Sequence, residues 1–137
     1  MSSFGDRLMN AVRDKRTPVM VGIDPRWQQL PNKPSATDPA SIAAAYESFS
    51  CAIVDLVADL VGVVKFQAAF FEAAGPRGLV ALDRAMRRAA QKGLVVVLDA
   101  KRGDIGSTAE AYADAYLPAN AESPWRADAL TVNPFLG

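Results

Sequence analysis

Histidine is absent from this chain of 137 residues, and cysteine occurs once, as Cys51. Without histidine there is no Ser-His-Asp or Cys-His catalysis and no imidazole-ligated metal. A single cysteine excludes an intrachain disulfide and a multi-cysteine metal site, and it fits a reducing, cytoplasmic setting. Net charge is missing too: 15 Lys+Arg balance 15 Asp+Glu. That balance argues against a dedicated nucleic-acid binder, which carries a basic excess. No uninterrupted apolar run approaches the roughly 18–20 residues that cross a bilayer, so no membrane partner is expected. The first residues, MSSFGDRLMNAVRDK, are too polar for a signal peptide. No Gly-x-Gly-x-x-Gly or Walker-type loop is present. What remains is a chain that is 50% hydrophobic and 22% charged, a globular composition. Its chemistry must come from Lys, Asp, Glu, Arg or hydroxyl groups.

Short apolar runs alternate with longer segments of helical period, the pattern of a parallel α/β fold. Residues 3–15 read as an amphipathic helix, with Phe4, Leu8 and Val12 at helical spacing. A first strand is expected over 18–23, followed by a proline-rich loop to residue 38. Asp38-Pro39 is a helix start, a capping Asp before Pro at the first helical position. The helix over about 39–60 places Ile42, Tyr46, Phe49, Ile53 and Val57 on one face. A second strand follows at 61–66, and residues 67–78 read as mostly loop. A third helix over 77–92 carries Val80, Leu82, Met86 and Ala89 and ends at Gly93, a C-cap glycine. The clearest strand is 94–98. Ser107-Thr-Ala-Glu110 has the form of a capping box, which puts a helix start near Thr108 and its end before Pro118. The last strand is 129–132. Arg84, Arg88 and Lys92 form a basic stripe that reads as a solvated face.

Charged residues gather at strand ends: Asp24 after the first, Lys65 near the end of the second, Asp99 and Lys101 after the third. In parallel α/β folds the C-terminal strand ends bind ligands. An unpaired ammonium within VGVVKF is costly to bury, so Lys65 needs a carboxylate, and Asp24 and Asp99 lie at equivalent depth. In extended backbone Asp99 and Lys101 project to the same side. Asp104, beyond Gly103, turns toward a different surface. Two carboxylates alternating with two ammonium groups favour the charged form of each. A protonated, oriented lysine can stabilise a developing carbanion and give it a proton. Taken singly, each residue also has a plain structural reading. Asp24 fits a turn former, Lys65 a snorkelling side chain, and Asp99 with Lys101 a structural ion pair.

Together these residues fall into a pattern. LDAKRGDIGSTAEAYA, residues 98–113, resembles the signature of the orotidine 5'-phosphate decarboxylase family in its longer bacterial subgroup, type 2. The family's Asp-x-Lys-x-x-Asp motif falls on Asp99, Lys101 and Asp104. VGIDPR at 21–26, VVKFQAAFFEAAG at 63–75 and DALTVNPFLG at 128–137 resemble three further blocks of the family in the same order. Phe66 stands where many members of that subgroup carry proline.

The resemblance implies a (β/α)8 TIM barrel of which residues 1–137 form the N-terminal half. It implies a cytoplasmic, cofactor-free and metal-free decarboxylation of orotidine 5'-monophosphate to UMP. By analogy Lys101 protonates C6 of the pyrimidine, Asp99 sits beside the departing carboxylate, and Lys65 bridges Asp99 and the ribose hydroxyls. Asp24 binds ribose, and Asn133 belongs to the substrate-binding set. Asp104 and Thr108 reach into the neighbouring site of a homodimer. One alternative is a metal-dependent decarboxylase of the 3-keto-L-gulonate 6-phosphate type, which shares the Asp-x-Lys-x-x-Asp frame. Arg102-Gly103 and residues 105–108 match the orotidylate pattern better. Another is an inactive fragment or binding module. Barrels commonly grip phosphate with loops after strands 7 and 8. A four-strand half is therefore expected to lack that grip, to be inactive by itself, and to leave two open sheet edges.

Overall fold

The computed structural model describes residues 3–117 and 123–136. Strands β1 (Met20–Ile23), β2 (Val63–Gln67), β3 (Val95–Arg102) and β4 (Ala129–Val132) form one parallel sheet, ordered β1-β2-β3-β4. Among the described residues the α-helices are α1 (Phe4–Lys15), α2 (Pro39–Val57), α3 (Ala68–Glu72), α4 (Gly75–Gln91) and α5 (Gly106–Tyr116). This is the expected βα rhythm, with strands paired in sequence order and all in one direction.

Alternation along the strands separates two faces. One carries Ile23, Val64, Phe66, Val96 and Leu98, none more than 1% exposed. These side chains form the core with Ala43, Tyr46 and Val54 of α2, Phe71 of α3, and Ala81, Leu82, Ala85, Met86 and Ala89 of α4. The other face carries Lys65, Gln67, Val97, Asp99 and Thr131. Helix α1 lies against the N-terminal end of the sheet. A Cβ on Gly62, just before β2, would stand 2.7 Å from the Ala11 Cβ and 2.8 Å from its carbonyl oxygen. Arg7 of α1 pairs with Asp128, whose other carboxylate oxygen accepts the Val96 amide at 2.7 Å. That carboxylate thus fastens α1, β3 and the start of β4 together.

Helix α2 begins as expected, with the Asp38 side chain accepting from the Ala40 and Ser41 amides at 2.9 and 3.1 Å. Its buried stripe is rotated by about one residue from the expected face. Ala43, Tyr46, Ser50 and Val54 are buried, while Ile42, Phe49, Ile53 and Val57 flank them half-buried. The rotation follows from packing on two neighbours, the sheet and α4. The expected solvated stripe on α4 joins that contact: Arg84 pairs with Glu47, and Arg88 and Lys92 both pair with Asp55. By length and composition α2 could cross a bilayer, with 19 residues and a mean hydropathy of 1.4. Glu47, Asp55 and three serines interrupt it, so it holds no uninterrupted apolar run of that length.

Four further expectations are corrected. Residues 67–78 are largely helical, because the AAFF segment turns Ala68 and Phe71 into the core. Gly75, at φ +68°, then redirects the chain into α4. Val80 is 49% exposed, so the α4 core stripe runs through Gly78, Ala81, Leu82, Ala85, Met86 and Ala89. The capping box at Ser107 does not form. Helix α5 starts at Gly106, its N-cap residue is Ile105, and no side chain caps it. Its end at Tyr116 agrees with the expected stop before Pro118, which lies outside the described residues. Strand β3 runs four residues past its expected end at Leu98, to Arg102.

Gly62→Ala should destabilise the chain by about 1–3 kcal/mol, since the new methyl meets helix backbone rather than a flexible side chain. Denaturant unfolding of the two proteins measures it.

Candidate active site

Asp99 is 7% exposed and accepts hydrogen bonds from four side chains, two on each oxygen. Lys65 Nζ and Gln67 Nε2 donate to Oδ2 at 2.9 and 3.1 Å. Thr131 Oγ1 donates to Oδ1 at 2.8 Å, and the Lys101 ammonium donates to the same oxygen. Strand geometry explains the convergence. Lys65 and Gln67 are two apart on β2, and Gln67 is the register partner of Asp99 on β3. Burial disfavours the charged form of Asp99. The hydrogen bonds from Lys101, Lys65 and Thr131, with the Lys65 charge, outweigh it and hold the pKa well below the usual carboxylate range.

Asp24 follows β1 and faces Lys65 from the other side, with Oδ1 3.9 Å from Nζ. That is an ion-pair distance but too long for a hydrogen bond. Asp24 Oδ1 is itself buried and has no hydrogen-bond partner among the described residues. The charges therefore run Asp24, Lys65, Asp99, Lys101 in alternating sign across three neighbouring strands. The Lys101 side chain closes the row at the solvent side, 62% exposed.

Asp99 and Lys101 meet as the alternation suggested, but by a different route. Leu98 pairs with Leu130 and Arg102 with Val132, so β3 spends four steps where β4 spends two. Lys101 lies within this bulge at φ +50°. Directly after it, a Cβ on Gly103 would stand 2.3 Å from the Asn133 carbonyl oxygen, so the backbones of the two strand ends approach too closely for any other residue. Arg102 serves the opposite side. Its guanidinium pairs with Glu72, donates to the Ala100 carbonyl at 2.9 Å and lies over the rings of Tyr112 and Tyr116.

The structure thus brings together Asp24, Lys65, Asp99 and Lys101 of the expected site residues. It leaves three outside this cluster. Asp104 accepts from the Ile105 amide at 2.8 Å and lines a groove with Tyr112, Val132 and Asn133. Thr108 is exposed on α5, and Asn133 Oδ1 accepts from the Phe135 amide at 3.1 Å. Two members of the cluster are absent from the expected set. Gln67 sits two residues after Lys65 and so shares its side, a signal that the expected end of the strand at Phe66 hides. Thr131 faces Asp99 only through the pairing of β4 with β3, which no local pattern carries.

Residues 17–137 match the family model for orotidine 5'-phosphate decarboxylase / HUMPS proteins. The chain belongs to that family. An orotidine 5'-phosphate decarboxylase of Rhodopirellula baltica is 52% identical across all of this chain, which covers 47% of that relative. One from Nocardioides is 47% identical, again over all of this chain and 48% of the relative. Among solved structures, an orotidine 5'-phosphate decarboxylase of Streptomyces avermitilis superposes with a TM-score of 0.86 at 44% identity. That match covers 100% of this chain and 46% of the other. Leishmania donovani OMP decarboxylase gives 0.74 at 34% identity, covering 98% of this chain and 45% of that one. The chain therefore spans about half the length of the curated orotidine 5'-phosphate decarboxylases it matches, and its four parallel strands are four βα units of their barrel.

Asp99→Asn should destabilise the fold by about 1–3 kcal/mol at neutral pH, because two ammonium groups lose their shared counter-charge. The depressed native pKa sets the sign. The contribution of Asp99 is complete above its ordinary value of 3.8 and is lost as pH falls below it. The difference in stability between parent and variant should therefore start to shrink at about pH 4 and keep shrinking as pH falls toward the depressed native pKa, read from unfolding curves at a series of pH values.

Proposed function

We propose that this chain supplies the decarboxylating half of a single (β/α)8 barrel that converts orotidine 5'-monophosphate to UMP and CO2 in pyrimidine biosynthesis. The observation that carries the reading is the alternating row of Asp24, Lys65, Asp99 and Lys101 at the C-terminal strand ends. It sits within a chain of the decarboxylase family. The bond from C6 to the carboxylate breaks with its electron pair left on C6, and CO2 departs. The Lys101 ammonium stabilises that carbanion and then transfers a proton from Nζ to C6, giving UMP. The neutral amine regains its proton from solvent, so the cycle balances without metal or organic cofactor.

Asp99 keeps its charge beside the leaving carboxylate, and its four hydrogen bonds fix its position. Lys65, already shared between Asp24 and Asp99, extends to the ribose hydroxyls. The buried Asp24 Oδ1 with no donor accepts one of those hydroxyls, a role that suits an acceptor left unpaired inside the fold. Asn133 completes the substrate contacts. Asp104 and Thr108, directed away from the cluster, act in the neighbouring site of a cytoplasmic homodimer. The phosphate is gripped by barrel segments beyond these four units, so residues 1–137 alone should turn over no substrate.

The reading is tested in a chimera that joins residues 1–137 to the second half of the Rhodopirellula baltica relative. Lys101→Ala should lower decarboxylation by more than about a thousandfold while UMP binding persists. Turnover by that variant at the parent rate would refute the proton-donor role. Activity should survive chelation, and a loss restored by magnesium would point to the keto-gulonate type of chemistry instead.

Subunit sharing is checked by mixing Lys101→Ala and Asp104→Ala chimeras under exchange. Mixed dimers should recover one working site. Activity no higher than the sum of the two inactive proteins, with exchange demonstrated, would count against it.

A further inference from the structure

One hydroxyl on β4 uses its whole hydrogen-bonding capacity on the Asp99–Lys101 bulge. Thr131 Oγ1 accepts from the Ala100 amide at 3.1 Å and from the Lys101 amide at 3.1 Å, and it donates to Asp99 Oδ1 at 2.8 Å. A hydroxyl has two acceptor lone pairs and one donor proton, so nothing is left over. The register break makes these bonds necessary. Between the pairs Leu98–Leu130 and Arg102–Val132, β3 carries two more residues than β4. A bulge of this kind takes amides out of the ladder, and buried or half-buried amides need another acceptor. Lys101 stands in the same bulge at φ +50°, a region that a long unbranched side chain rarely occupies without a surrounding structure that holds it there.

We infer that Thr131 is a positioning residue of the site: its hydroxyl holds the left-handed bulge that aims Lys101 at Asp99, and orients the Asp99 carboxylate through the same atom. The two functions are coupled because one oxygen serves both. Were the hydroxyl lost, the amides of Ala100 and Lys101 would lack their acceptor, and Asp99 Oδ1 would keep Lys101 as its sole partner. Arg102 braces the far end of the bulge from the other face, through Glu72 and the Ala100 carbonyl. Among the described residues it makes no hydrogen bond or ion pair with Asp99 or the Lys101 ammonium, so Thr131 is the side chain that links backbone shape to charge placement.

The part of this inference that concerns turnover rests on the decarboxylase reading, and the test separates the two. In the 137-residue chain, backbone amide exchange and the 13C titration of the Asp99 carboxyl are followed by NMR for the parent, Thr131→Val and Thr131→Ser. Valine keeps the shape without the hydroxyl, and serine keeps the hydroxyl. In the valine variant the Ala100 and Lys101 amides should exchange about tenfold faster or more, and the Asp99 midpoint should rise; serine should stay within about twofold of the parent. Parent-like exchange and midpoint in a folded valine variant would overturn the inference, as would a serine variant altered as much as the valine one. If the valine variant fails to fold, Thr131→Ala replaces it and the same two readouts apply.

In the chimera, Thr131→Val should lower kcat by about tenfold or more with KM changed less than about threefold, and serine should restore it. If the chimera decarboxylates and Lys101→Ala abolishes turnover while Thr131→Val has the parent kcat, the positioning role is refuted and the decarboxylase reading stands. If the parent chimera shows no decarboxylation, that reading fails, and the exchange and titration results alone decide the role of Thr131.

Discussion

The carboxylate of Asp99 is the point on which the site depends. It is nearly buried, a state a lone carboxylate does not tolerate, and it stays charged because four donors from three strands converge on its two oxygens. Each donor brings a different constraint. Lys65 ties it to Asp24 and β1, Gln67 ties it to β2, and Thr131 ties it to β4. Lys101 leaves one ammonium facing outward beside a fixed negative charge. Remove that charge and the two ammonium groups lose the counter-ion they share, leaving Lys65 only the longer pairing with Asp24. A compact, preorganised field of this kind suits the carbanion chemistry we propose for it.

Everything beneath the cluster keeps those strands in register. The packed face of the sheet takes apolar residues from α2, α3 and α4, and Phe71 meets Tyr46 edge-on at 6.1 Å. Ion pairs from Glu47 and Asp55 to the basic stripe of α4 fix two helices over one another. Being exposed, such pairs contribute little to stability singly, and their worth lies in setting the angle of contact. At the opposite end from the charges, α1 lies across the sheet where Gly62 leaves it room, held by Arg7 on Asp128.

The departures between sequence and structure have local causes. The AAFF segment reads as a loop because its apolar residues are too closely spaced to show a period, yet burial of Phe71 and Ala68 makes it a helix. Ser107 and Glu110 have the spacing of a capping box, but the chain enters α5 through Gly106 at φ +55°, two residues early, and the serine falls inside the helix. The stripe of Arg84, Arg88 and Lys92 is largely exposed as expected, but its ion pairs escape a local reading because Glu47 and Asp55 lie more than thirty residues away along the chain. In each case the deciding contact is distant in sequence or depends on a single backbone angle.

By itself the sequence determined the βα order, the parallel sheet and the identity of the charged residues at its strand ends. Hydrophobic period, caps and strand-end position are local properties and can be read one segment at a time. Motif spacing extended that reading to the family. Only the tertiary structure decided how the charges connect. Alternation on a single strand suggests that Asp99 and Lys101 share a side, but it cannot show a bulge in which Lys101 adopts a left-handed backbone angle. That shape exists because β4 places one hydroxyl opposite three residues of β3, and because Gly103 lets the strand ends close behind it. Pairing between strands is a non-local property, and so is the geometry that depends on it.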